Sequence, residues 1–113
     1  MMALKWASFD PEITNAELET IPYPDRGALY QAMSAFAEGL DIKHVAKNYG
    51  DGLMMIKASN GTSGRCLFFC EQAGDSMKPI ALLFYKKESQ DAPKHVIEAG
   101  RKRKNVFQER KRK

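Results

Sequence analysis

The chain has only two cysteines in 113 residues, and their placement excludes the usual uses of sulfur. Cys66 and Cys70 fall in one predicted strand, where four residues at about 3.3 Å each hold their Cα atoms roughly 13 Å apart. That is beyond disulfide reach. No further Cys or His stands nearby to complete a tetrahedral zinc set, so both read as small buried hydrophobes. No apolar run reaches the length of a membrane-spanning helix. The opening MMALKWASFDPE lacks the charged, apolar and small-residue order of a signal peptide. A cytoplasmic protein with no membrane partner is expected. Histidine is equally scarce, and neither His44 nor His95 lies in the predicted core strands.

With 43% hydrophobic and 28% charged residues, the composition is that of one globular domain spanning residues 1–113. The net charge of +4 hides a division. From Lys86 onward there are 11 Lys or Arg against 4 Asp or Glu, net +7, which leaves 7 against 10, net −3, in Met1 to Tyr85. One end should therefore attract polyanions. The basic segment, from about 93 to 113, has few large apolar residues, so nucleic acid suits it better than a membrane surface.

The run from Gly52 to Lys87 reads as three consecutive strands, GLMMIKAS, GRCLFFCEQ and KPIALLFYKK, with turns at 59–64 and 72–77. Ahead of it, Ala3 to Phe9 suggests a first strand, and Pro11 to Ile21 a short helix capped by Asp10. Pro22-Tyr23-Pro24 breaks the chain. Asp25 is expected to cap a helix over Arg26 to Glu38, with Leu29, Met33, Phe36 and Ala37 on its core face and Gly39 ending it. The stretch from Leu40 to Asp51 shows no clear pattern, and His44 there reads as a solvated loop residue. Pro93 opens a last helix, which Gly100 weakens by about 1 kcal/mol relative to Ala and which is expected to fray over Glu109 to Lys113.

Side chains alternate along a strand, so the hairpin loop between the first two core strands decides where Lys57 and Arg65 lie. An odd loop puts both on one face and leaves Met54, Ile56, Ala58, Cys66, Phe68 and Cys70 as an uncharged core face. The odd loop is predicted, because it keeps both cations out of the core. Lys57, Arg65, Lys86 and Lys87 then suggest a sheet face that meets an anion, although strand ends also carry such residues for solvation and edge protection.

Several pieces follow one another in a telling order: Gly50-Asp51-Gly52-Leu53, Lys57, Gly64-Arg65-Cys66-Leu67-Phe68-Phe69, Phe84-Tyr85-Lys86-Lys87, and Ala92-Pro93 with Gly100 and Arg103 beyond. In these the chain resembles the RelE/HigB superfamily of type II toxins, in particular its phage-derived HigB-like branch, over roughly Asp25 to Phe107. Met55 stands where an acidic residue is common, and Lys57 where the pattern has Arg. The resemblance implies an α+β, RelE-like fold: a small, mainly antiparallel twisted sheet with N-terminal helices packed on one face and a basic C-terminal helix. It also implies a ribosome-dependent mRNA endoribonuclease that inhibits translation, needing no metal or other cofactor. The implied partners are mRNA, the ribosomal A site and a cognate, DNA-binding antitoxin.

Attack of a ribose 2′-OH on the adjacent phosphate, giving a 2′,3′-cyclic phosphate and a 5′-OH, needs a base, an acid and cations for the developing charge. The expected catalytic set is Lys57, Arg65, Lys86 and Lys87, with Arg65 as a bidentate phosphate clamp. The base is left open among Lys57, Lys87 and His95. Tyr85 is expected to orient or stack on RNA, alongside His95. Arg101, Lys102, Arg103 and Lys104 are expected to meet RNA phosphates without reading sequence. The alternative is a catalytically silent RNA- or DNA-binding module on the same fold, of phage or mobile-element type.

Overall fold

The computed structural model describes residues 6–39, 43, 45–58, 62–87 and 92–112. They form an α+β structure in which a five-stranded, mostly antiparallel sheet is covered by helices on both faces. Residues 59–61, 88–91 and His44 lie outside the described residues, as does the start of the predicted first strand.

Of that strand, the described residues show Ala7–Ser8 (β1). The helix Pro11–Leu18 (α1) follows with Asp10 as its cap, the Asp10 carboxylate accepting from Glu12 N at 3.1 Å. It stops before the predicted Ile21, which is fully buried. The next helix, Tyr23–Gly39 (α2), starts earlier than expected, with Pro24 in its first turn, where a missing N–H is tolerated. Asp25 is therefore inside the helix rather than capping it. Leu29, Met33 and Phe36 form its buried face, as their spacing predicts.

Val45–Asn48 (β2) is a strand that the sequence pattern does not announce, an exposed edge with a register shift between Val45 and Lys47. The three core strands are Met54–Lys57 (β3), Gly64–Ala73 (β4) and Ser76–Lys86 (β5). The sheet order is β1-β5-β4-β3-β2, with β1 parallel to β5 and every other pair antiparallel. The β4–β5 turn is tighter than predicted, since Ala73 pairs with Ser76 across Gly74-Asp75. Gly74 takes the positive φ of 63° that such a turn asks of its first residue.

Lys57 pairs directly with Arg65, so the two cations share a face as the odd-loop argument required. Ile56, Cys66 and Phe68 turn the other way, onto α1 and α2, where Phe68 meets Trp6 and Phe36 edge to face and those two rings are tilted against each other. The cation-bearing face is not open, however. Leu53, Met55, Leu67, Phe69, Ile80, Leu82 and Leu83 make it a second core, roofed by the helix Lys94–Arg112 (α3) through Val96, Ile97, Ala99 and Phe107. Over the segment expected to fray, α3 continues through Arg112 and Lys111 reaches Glu71 at 3.3 Å, while Lys113 lies outside the described residues.

Beyond β1, among the described residues, side chains bond to the edge of β5. Phe84 N donates to Glu17 Oε1 at 3.2 Å, and Arg103 donates to Leu82 O at 2.9 Å. Arg103 and Glu17 are paired with each other at 2.8 Å. The ion pair thus takes over the ladder where the two-residue strand ends, which satisfies backbone groups that would otherwise be unpaired.

Candidate nucleic-acid interface

The ends of β3 and β5 and the start of β4 meet at one end of the sheet. The register lines up Lys57, Arg65 and Tyr85 in one cross-strand row, while Lys86 stands opposite Gly64 one position along. Alternation therefore puts Lys57, Arg65 and Tyr85 on the α3 face and Lys86 on the α2 face. The predicted catalytic set shares a sheet end but is split between faces.

Arg65 departs most from expectation. It is 3% exposed, and its guanidinium donates to Thr62 O at 2.6 Å and Gly64 O at 2.9 Å. Burial lowers its pKa from the ordinary value, opposed by Tyr85 and Asp25. A buried cation bonded to two loop carbonyls is a brace for that loop, not a clamp open to a phosphate. Lys57 and Lys86 are exposed and Lys87 is partly so. Among the described residues no carboxylate pairs with any of the three.

The same loop is gripped from two other elements. Asp25, in the first turn of α2, accepts from Ser63 N at 3.0 Å and also from the Ser63 hydroxyl. Those two bonds hold the Asp25 carboxylate below its ordinary pKa, helped by the charges of Lys86 and Arg65. Ser63 O in turn accepts from Lys87 N at 2.7 Å, which extends the β4–β5 ladder by one bond. Neither Asp25 nor Ser63 stands out in the sequence, since a helix-capping role and a turn account for them.

The basic helix also corrects its reading. Arg101 donates to Tyr49 O at 2.6 Å and to Gly50 O and Asp51 at 3.4 Å. Gly50, Asp51 and Gly52 there all have positive φ, and this guanidinium joins the turn's own bonds, Gly50 N to Asn48 Oδ1 and Leu53 N to Gly50 O, in holding it. Arg103 serves Glu17 and the Leu82 carbonyl on the β5 edge. Lys104 Nζ lies 5.5 Å over the Phe69 ring, and Arg110 stacks on Phe9 at 4.8 Å. Several of the charges that looked available for RNA are engaged inside the molecule: of Arg101 to Lys104, Lys102 is exposed as a whole residue, while Arg101 keeps 37% of its side chain exposed. The sequence held the signal, because Val96, Gly100, Arg103 and Phe107 follow the spacing of a helix's buried stripe.

His95 is exposed at the start of α3. The helix runs back along the sheet, with Gly100 against Leu67 and Phe107 against Phe69. Its start therefore lies toward the end of the sheet that carries Arg65.

Among the described residues no group of His, Cys, Asp and Glu comes together that could hold a metal ion, and no helix is long and apolar enough to cross a membrane. Both thiols have raised pKa values through burial, Cys66 far more than Cys70. No protein-family model matches the chain, and no curated protein matches it.

Proposed function

We propose that the chain is the toxin component of a type II toxin–antitoxin pair, acting on mRNA at the ribosome as an endoribonuclease. The observation that carries this reading is the gathering of Lys57, Lys86 and Lys87, without carboxylate partners among the described residues, where three strand ends meet and α3 begins. An RNA phosphate at this end would find cations to offset charge developing on it. Tyr85, in the same row as Lys57, offers a partly buried ring beside them, and His95 offers an imidazole suited to proton transfer. The RelE-like resemblance supplies the reaction, 2′-OH attack on the neighbouring phosphate, and the antitoxin as partner.

The burial of Arg65 favours a second reading. Without an exposed arginine clamp, the same lysines suit a module that binds RNA without cutting it. Primer extension on mRNA in a translating extract separates the two. The expected result is new cuts at codon positions that disappear when initiation is stalled, and that are lost in a Lys57→Ala, Lys86→Ala, Lys87→Ala variant. RNA binding with no cuts at any dose would leave the silent module, and cuts unaffected by the triple variant would move the site elsewhere.

A further inference from the structure

Three described elements converge on one short loop segment at the lysine end. From α2, the Asp25 carboxylate takes both the N–H and the hydroxyl of Ser63. From β4, Arg65 takes the carbonyls on either side of Ser63, those of Thr62 and Gly64. From the end of β5, Lys87 N takes Ser63 O. Ser63 is thus the middle of a chain of bonds running from Asp25 to the backbone of Lys87. Gly64 completes the fit, since a Cβ there would stand 3.4 Å from Asp25 O, Ile21 and Leu29.

Resting on the reading of this end as an RNA site, we infer that Asp25 and Ser63 are positioning residues that fix Lys86 and Lys87 for RNA phosphates, while Arg65 braces the loop without touching RNA. Lys86 lies next to Gly64 in the register, and Asp25 is close enough to Lys86 and Arg65 to feel both charges. An aspartate among cations would ordinarily repel a phosphate. Its presence is explained by what it holds.

That conflict makes the inference testable by sign. Asp25→Asn keeps an oxygen acceptor for Ser63 and removes a negative charge, so RNA binding should tighten. Asp25→Ala removes the same charge together with the acceptor, so binding should weaken. A residue that acted only through its charge would give tightening in both.

The measurement is fluorescence anisotropy of the full chain with a fluorescein-labelled 12-nucleotide single-stranded RNA over a range of salt, well below each variant's melting temperature. Removing one lysine–phosphate interaction should weaken binding about fourfold near 0.15 M salt and flatten the log–log salt slope by about 0.7. Asp25→Ala and Ser63→Ala should show both effects, and Ser63→Thr, which keeps the hydroxyl, should restore wild-type behaviour.

If Lys86→Ala and Lys87→Ala weaken binding but Asp25→Ala and Ser63→Ala do not, the positioning role is wrong and the RNA site stands. If the lysine variants bind like wild type, the RNA site itself is wrong. Should Asp25→Ala fail to fold, the Ser63→Ala and Ser63→Thr pair decides the question.

Discussion

Gly100 is the residue whose meaning changes most between sequence and structure. Read along the chain it is a weak point in a helix, yet a Cβ built there would stand 2.8 Å from Leu67 Cδ1, and Leu67 is fully buried. The helix gains about 1 kcal/mol from Ala at such a position, while overpacking a tight core costs about 1–3 kcal/mol. The second effect should win, because Leu67 is enclosed by the α3 contact itself and has little room to give. Gly100→Ala is expected to lower the urea midpoint, and a raised midpoint would mean that α3 stands off the sheet. Asp25 gives a prediction in pH. Its folded pKa is lowered beneath the ordinary 3.8, so its contribution to stability is complete above that value and is lost as pH falls through the folded pKa. The stability gap between wild type and Asp25→Ala should be constant from pH 7 down to about pH 5 and close only below 3.8. Denaturant titrations at a series of pH values would show a gap closing near neutrality if another group were responsible.

Among elements, α3 combines a thin apolar stripe with cations that hold it to its neighbours. Arg103 is the strongest of these, tying α3 to α1 through Glu17 and to β5 through Leu82 O, with both side chains about one-fifth exposed. Removing either partner strands the other in a partly dry place, and each single substitution to Ala should cost about 2–3 kcal/mol. The double variant should cost clearly less than the sum, and strict additivity in a double-mutant cycle would show that the two do not act as a unit. Strands β3, β4 and β5 were legible because apolar runs between turns carry their own signal, and strand parity fixed the faces correctly. Strand β2 was not, since Val45-Ala46-Lys47-Asn48 is exposed along most of its length and only Val45 packs against the core, too little to imprint a pattern. The candidate site was legible in its lysines and misjudged at Arg65. Type and spacing mark a cation, but whether it meets solvent or a loop carbonyl depends on the path of residues 62–64. The second core was concealed for a related reason: Arg103, on the buried stripe of α3, reads as surface charge until Glu17, 86 residues away, is brought beside it.

For the whole molecule, a central sheet between two helical layers sets an order of opening. Strands β4 and β5 pair along ten positions and are covered on both faces, whereas among the described residues β2 has a neighbour strand on one side only. Amide hydrogen exchange should therefore be slowest at Cys66 to Phe69 and Ile80 to Leu83 and fastest among the strands at β2. Equal protection of β2 and β4 would indicate that another chain covers that edge in solution.

The side-chain ladder on β5 also bears on how copies of this chain could associate. A sheet that grows by strand addition needs two receptive borders, one to accept and one to pass the pattern on. Here one border ends in a two-residue strand and then in the locked side chains of Glu17 and Arg103, which occupy the amide of Phe84 and the carbonyl of Leu82. Among the described residues the β2 border alone remains receptive, so strand-to-strand pairing through them would stop at two molecules instead of propagating into a fibre.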